Sequence, residues 1–274
     1  MTMGNAVREC LAEAALDGAS MPSAVIGGLG TTAGHALKGR LLLDALGDRD
    51  IAVAGTVQHG DPAALLADPS WHLALVLSPW KQDVAASLQY LTPSAGRTGV
   101  VDTVVRQRHR VVGVNTNSWA AQAAMETLLG GRIPTDVLVL GSGASAYSVA
   151  LACRRAWPAT RLVGVARSAA KLTSWAETFD AEAARPDSVT ELFTDAPTLV
   201  VNTTTWGETD ASEQSPFAVD FAAVTAPGNR FFDLNNRVSA LQRAALDAGM
   251  AVASGTYMQR TTNACRSALL AGHA

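Results

Sequence analysis

Val137-Leu-Val-Leu140 runs directly into Gly141-Ser142-Gly143-Ala144-Ser145-Ala146, and then into YSVALACRRA over residues 147–156. The apolar tetrad reads as a buried strand, the glycine-rich stretch as a turn and the last segment as a helix. The motif GxGxxA therefore sits in the strand–turn–helix context that gives it meaning. Gly141 permits the tight turn. Gly143 lets the backbone approach a diphosphate resting on the free N–H groups of the helix start, and Ala146 lets helix and strand pack closely. Ser142, Ala144 and Ser145 complete the loop. The competing reading is a glycine turn with a structural role only.

The next apolar run, Leu162–Ala166, ends about 20 residues later, where a site for NAD usually places an acidic residue on the ribose hydroxyls. Arg167, Ser168 and Lys171 stand there instead. A guanidinium with an ammonium nearby suits a 2′-phosphate, so the cofactor expected is NADP. Asn202-Thr203-Thr204 closes a later strand at its carboxyl edge, where ligands bind in such sheets.

Outward from this core, short apolar runs alternate with helical patterns. Strands are expected at Ser23–Gly27, Ile51–Val57, Leu73–Leu77, Val137–Leu140, Leu162–Ala166, Thr198–Asn202 and Arg230–Leu234, with a hairpin over Val100–Asn115. Helices are expected at Gly34–Leu46, Lys81–Leu91, Ser118–Leu129, Ala144–Ala156, Ala169–Thr178, Ser239–Ala248 and after Gly255, and a short amphipathic one at the N-terminus. This alternation implies an α/β fold with parallel sheets and right-handed crossovers. A substrate domain over residues 1–118, joined by a returning C-terminal helix (256–274), would accompany a Rossmann domain over residues 119–255.

Composition narrows the function classes. At 48% hydrophobic and 16% charged residues, 274 residues can bury a substantial core. The net charge of −3, without a run of one sign, offers no footprint for nucleic acid and no polybasic membrane patch. Cys10, Cys153 and Cys265 are odd in number and widely spaced, which fits buried, reduced thiols. Arg8, Glu9, Glu13 and Asp17 interrupt the N-terminal apolar residues, unlike an export signal, and a cytoplasmic location is expected. The histidines at 35, 59, 72, 109 and 273 show no metal-ligand spacing, so no metal is expected. His35 reads as a helix-side structural residue and the others as loop, turn or tail residues.

Several motifs together, in order and spacing, resemble shikimate dehydrogenase. Pro79-Trp-Lys81 looks like that family's PxK segment, Gly99-Val-Val-Asp102-Thr103 like its GAVNT segment, and Gly113-Val-Asn115-Thr116-Asn117 like its GxNTD segment. The glycine loop, Arg167-Ser168, Asn202-Thr203-Thr204, Asp233-Leu-Asn235 and Gly255-Thr-Tyr-Met258 follow. The resemblance covers nearly the whole chain from about residue 24. It implies two α/β domains with the active site in the cleft between them, and a catalytic lysine at Lys81. It also places Gly255 and Met258 on the cofactor; a core methionine is the equal alternative at Met258.

The departures cluster on substrate-facing positions. Within Gly28-Leu29-Gly30-Thr31-Thr32-Ala33-Gly34-His35, Leu29 and Thr31 stand where the family has two serines that hold a carboxylate. The NVT before PxK is Leu75-Val76-Leu77; Asn236 replaces a tyrosine, Val238 a proline and Thr262 a glutamine. Asn117 occupies the catalytic aspartate's position and Asp102 that of the GAVNT asparagine. An apolar Leu29 cannot donate a hydrogen bond to a carboxylate, so shikimate itself is expected to bind badly. Lys81 is the expected proton donor, with Asp102 as its partner and Asn117 on the substrate. Further substrate contacts are expected at Thr31, Thr103, Asn115, Asn236 and Thr262; Thr103 and Asn115 serve equally as scaffold. The competing reading makes Lys81 a surface lysine and puts Asp102 in a turn. Trp80, Trp119 and Trp206 either line an apolar pocket or pack the core.

The expected activity is NADP-dependent hydride transfer to or from a polar cyclic alcohol, ketone or imine: quinate-, aminoshikimate- or cyclitol-like. A small molecule is the expected partner, and a homodimer the candidate assembly. Two other functions remain: a catalytically impaired NADP-binding paralogue acting as a sensor, and a methylenetetrahydrofolate dehydrogenase-like enzyme.

Overall fold

The Thr2 hydroxyl accepts a hydrogen bond from the Asn5 amide and so starts α1 (Met3–Ala14), which buries Ala6, Val7, Cys10 and Ala14 along one face. The structure is a computed structural model describing residues 1–15, 21–107, 110–189 and 198–272. Asp17, the turn residues Arg108 and His109, and His273 lie outside the described residues. The chain divides into two compact units, Met1–Ala120 with Gln259–Ala274, and Ala121–Met258.

In the first unit follow β1 (Ser23–Leu29), α2 (Ala33–Ala36), α3 (Arg40–Gly47), β2 (Ala52–His59), α4 (Pro62–Ala67), β3 (Leu73–Val76), α5 (Lys81–Ser87), β4 (Tyr90–Leu91), α6 (Pro93–Thr98), β5 (Thr103–Gln107) and β6 (Arg110–Val114). Two expectations fail here for local reasons. The helix expected over Gly34–Leu46 is two helices, because Gly39 turns extended and caps the second. The helix expected over Lys81–Leu91 ends at Ser87: Leu88 turns extended, and Tyr90 and Leu91 pair in parallel with Val112 and Gly113. Gly113 makes that approach possible, since a Cβ there would lie 2.8 Å from Leu88 and Leu91. The sheet order is β2-β1-β3-β5-β6-β4. It is mixed rather than parallel, because β5 runs antiparallel to both β3 and β6. One face packs Ile26, Leu42, Leu46, Leu73, Leu75 and Leu269. The other packs Leu29, Leu65, Trp71, Val76, Val84 and Val104.

The helix α7 (Thr116–Leu129) leads into the second unit, which contains β7 (Asp136–Leu140), α8 (Ala144–Ala156), β8 (Arg161–Val165), α9 (Ala169–Phe179), β9 (Glu182–Ala184), β10 (Thr198–Asn202), β11 (Arg230–Asp233), α10 (Ala240–Asp247) and β12 (Ala251–Ala253). The closing helix α11 (Thr256–Ala271) begins there and ends in the first unit. The sheet is wholly parallel, in the order β12-β11-β10-β7-β8-β9. That is the doubly wound Rossmann arrangement, with the reversal of strand order between β7 and β10. Among the described residues no helix is long and apolar enough to cross a membrane, and no cluster of side chains could hold a metal. All three cysteines are buried and free.

His59 is the last residue of β2 rather than a loop residue, and its Nε2 lies 2.9 Å from Asp68 Oδ2. Hydrogen bonds from Ser70 and then from His59 hold the Asp68 carboxyl down at about 2, below its ordinary 3.8. A depressed acid stabilises the fold above its unfolded value, and that contribution vanishes as pH falls through the folded one. Between these two values, unfolding of Asp68→Asn is expected to depend less on pH than that of the parent. Parallel pH dependences of the two midpoints would refute this.

Candidate functional site

Topology gathers the polar motifs of the first unit at one sheet edge. The ends of β1 and β3 point the same way, because the strands are parallel. Because β5 runs antiparallel to β3, its beginning lies at that edge, and so does the end of β6. Thr31, Lys81, Asp102 and Asn115–Asn117 follow or precede these strand ends. Backbone bonds fasten them: Thr31 N to Ser78 O at 3.1 Å, Val76 N to Asp102 O at 2.9 Å and Val101 N to Lys81 O at 3.0 Å.

Lys81 opens α5 and is only 6% exposed, so it is no surface lysine. Its ammonium has no hydrogen-bond or ion-pair partner among the described residues. Burial lowers its pKa; the charge of Asp102 opposes that and Arg266 adds to it. Asp102 is fully buried, not in an exposed turn. Its carboxylate accepts hydrogen bonds from Thr103 Oγ1 (2.8 Å), Thr116 Oγ1 and the Asn117 amide (2.8 Å). Asp102 thereby satisfies one of the open amides at the start of α7. Within 4.0 Å its ionic partner is Arg266, at 3.8 Å.

The remaining expected residues divide between ligand-facing and scaffold positions. Asn117 is half-buried; its Oδ1 accepts from Thr262 Oγ1 at 3.1 Å, and its amide nitrogen has no partner among the described residues. Thr31 is exposed, its hydroxyl 3.4 Å from Ser78 O. Asn115 uses both ends of its amide internally, donating to Thr98 Oγ1 at 2.9 Å and capping α7 at Ser118 N at 3.0 Å. Thr103 is fully buried between Asp102 and Thr116. Leu29 fills the core, so its position offers a substrate nothing polar. His35 is exposed on α2. The tryptophans pack: Trp80 and Trp119 against the two core clusters, and Trp206 edge-on to Phe217 and Phe221.

Sequence reasoning missed Arg266, 5% exposed on α11. A signal was present: it is the single charged residue in Thr261–Ala271 and sits one helical turn beyond Thr262.

In the second unit, Gly141 takes φ +114°, and a Cβ there would lie 2.6 Å from Thr203 Oγ1. Thr203 in turn donates to Leu140 O at 2.7 Å, which ties β10 to β7 at the reversal of strand order. Asn202 donates to Trp206 O and Asp233 Oδ1 and accepts from Thr204, so it braces this loop. Gly143 starts α8 without any side-chain cap, and a Cβ on it would meet nothing within 4 Å. Open amides and empty space are what a diphosphate needs, so these residues fit a dinucleotide. Ala146 is fully buried, and its carbonyl accepts from Trp175 Nε1 at 3.1 Å. Beyond β8, Arg167 and Lys171 are exposed while Ser168 caps α9. A Cβ on Gly255 would lie 1.9 Å from Leu234 O, so that glycine serves a backbone crossing. Met258 is 7% exposed, and Asn236 is exposed on the loop after β11.

No family model matches the chain. In sequence, 80 residues are 39% identical to the NADP(+) shikimate dehydrogenase of Thermus thermophilus, and 79 are 35% identical to that of Symbiobacterium thermophilum. These stretches cover 28% of this chain and only 29% and 26% of the relatives' lengths. In structure the likeness extends through most of the chain. The crystal structure of Thermus thermophilus shikimate 5-dehydrogenase with NADP(H) and shikimate aligns with a TM-score of 0.74 and 25% identity, covering 90% of this chain and 93% of that one. The chain is similar to shikimate dehydrogenases over a short stretch of sequence and, through most of its length, in fold. A quinate dehydrogenase of Corynebacterium glutamicum in complex with NAD shares the fold, with a TM-score of 0.73 at 18% identity over 90% of this chain and 93% of that one.

Proposed function

We propose that the chain is an NADP-dependent oxidoreductase acting on a polar cyclic alcohol or ketone that is shikimate-, quinate-, aminoshikimate- or cyclitol-like, and not shikimate itself. The observation that carries this reading is Lys81: an ammonium on a side chain only 6% exposed, with no partner among the described residues, calls for an oxygen on a ligand. In the direction of reduction its Nζ–H gives a proton to the carbonyl oxygen; in oxidation the neutral amine removes one from the hydroxyl. Asp102 lies nearby, and the Asn117 amide nitrogen, without a partner among the described residues, donates to a substrate oxygen. Gly141–Ala146 hold the diphosphate at the start of α8, and Arg167 with Lys171 takes the 2′-phosphate. Bound NADP(H) supplies or accepts the hydride.

A second reading rests on the Asp102 carboxylate, already engaged by Thr103, Thr116, Asn117 and Arg266. On that reading the protein binds NADP as a sensor and turns nothing over. One assay separates the two. Purified protein is titrated with NADPH and NADH and then assayed on a panel of cyclic polyols and their ketones. Turnover with any panel member, and NADPH binding more than about tenfold tighter than NADH, support the enzyme. Arg167→Ala is expected to erode that preference by about tenfold without weakening NADH. Binding without turnover favours the sensor, and indifference to both cofactors removes both readings.

A further inference from the structure

Arg266 reaches the site from α11, and each of its three guanidinium nitrogens donates a hydrogen bond. Nε donates to Thr103 Oγ1 at 3.0 Å, Nη1 to Asn263 Oδ1 at 3.0 Å and Nη2 to the Asp102 carbonyl at 3.1 Å. Nη2 also lies 3.8 Å from Asp102 Oδ1. Two buried cations, Lys81 and Arg266, thus lie in the field of one buried carboxylate, and of the two it is Arg266 that touches it. A guanidinium keeps its proton in proteins, whereas a buried ammonium gives its proton up readily. We infer that Arg266 is a positioning residue that claims Asp102 and thereby sets the pH at which Lys81 exchanges its proton. The inference rests on the reading of Lys81 as the proton-transferring group.

The charges around Lys81 support it. Asp102, at the start of β5, pulls its pKa up, and Arg266 on α11 pushes it down in addition to burial. Arg266 itself feels Asp102 and Cys265. The hydrogen bond to Cys265 and burial raise the pKa of Cys10 on α1 well above its ordinary value, with Asp102 and Glu13 adding to the shift. Asp83 on α5 is exposed. Arg266 is therefore the cation that offsets Asp102. Without it the carboxylate acts on Lys81 alone, and the ammonium holds its proton to higher pH.

The chain contains only three lysines, Lys38, Lys81 and Lys171, so lysine labelled with 13C at Cε gives a spectrum that the variant Lys81→Met assigns. In Arg266→Gln the Lys81 titration is expected to move to higher pH, lowering the neutral-amine fraction at pH 7 roughly tenfold. Arg266→Lys is expected to restore part of the difference. A titration in Arg266→Gln unchanged from the parent overturns the inference. If that variant does not fold, Arg266→Lys, which keeps a cation but loses the fork that grips Asp102, is compared with the parent. Its Lys81 titration must lie at higher pH than the parent's, and equal titrations overturn the inference. The measurement does not depend on turnover. A shifted titration in a protein that processes no panel substrate leaves the inference standing and removes the enzymatic reading. In an active protein, the pH profile of kcat must move with the titration while KM for the cofactor stays constant.

Discussion

Lys81→Met is expected to lower turnover by about 10²–10⁴-fold while leaving NADP(H) binding intact. Methionine has nearly the length of lysine and no charge, and the site is 6% exposed. Removing the ammonium deletes a desolvated cation that has no bonded partner among the described residues, so the fold is expected to be unharmed or slightly stabilised. The loss should therefore fall on kcat, with the cofactor dissociation constant unchanged. Single-turnover rates with saturating NADP(H) make the measurement. A variant within a few-fold of the parent would mean that Lys81 is buried for packing alone.

Gly143→Val is expected to weaken NADP(H) binding by about 10²-fold with little change in thermal stability. The two halves of that expectation come from different observations. Gly143 has φ −85° and ψ −178°, an extended backbone that any residue adopts. A Cβ placed there meets nothing within 4 Å, so the protein alone tolerates a side chain. The space it would fill lies over the uncapped start of α8, where the diphosphate is proposed to rest. Gly141→Val is the contrasting case. Its φ of +114° and its 2.6 Å approach to Thr203 Oγ1 strain the folded state, so about 1–3 kcal/mol of stability should go with the binding. Calorimetric titration and melting curves on both variants separate them. If Gly143→Val binds NADP(H) as the parent does, the loop is a structural turn.

The second unit was the more legible. Every described strand of its sheet is parallel, so apolar runs and helical patterns alternate in the sequence as they do in space, and Val137–Ala156 could be assigned from neighbours alone. The first unit hides more. Tyr90–Leu91 gains its strand character only from pairing with β6, and the antiparallel β5 carries no local mark that it will lie beside β3. Lys81, Asp102, Asn117 and Thr262 were named from the resemblance to shikimate dehydrogenase and come to one sheet edge or the helix beside it. The direct ionic contact of Asp102, with Arg266, was not foreseen, because those residues are 164 positions apart.

What the sequence determined by itself is the local chemistry: the strand–glycine turn–helix, the basic residues after β8, and the polar motifs at strand ends. These follow from residues within a few positions of one another, where backbone sterics and periodicity act directly. Only the tertiary structure decided which charges share a buried space. It removed Lys81 from water, set Asp102 between a helix start and a guanidinium, and turned Thr103 and Asn115 into braces. Desolvation and charge pairing depend on distance in three dimensions, and the order of residues along the chain does not contain that distance.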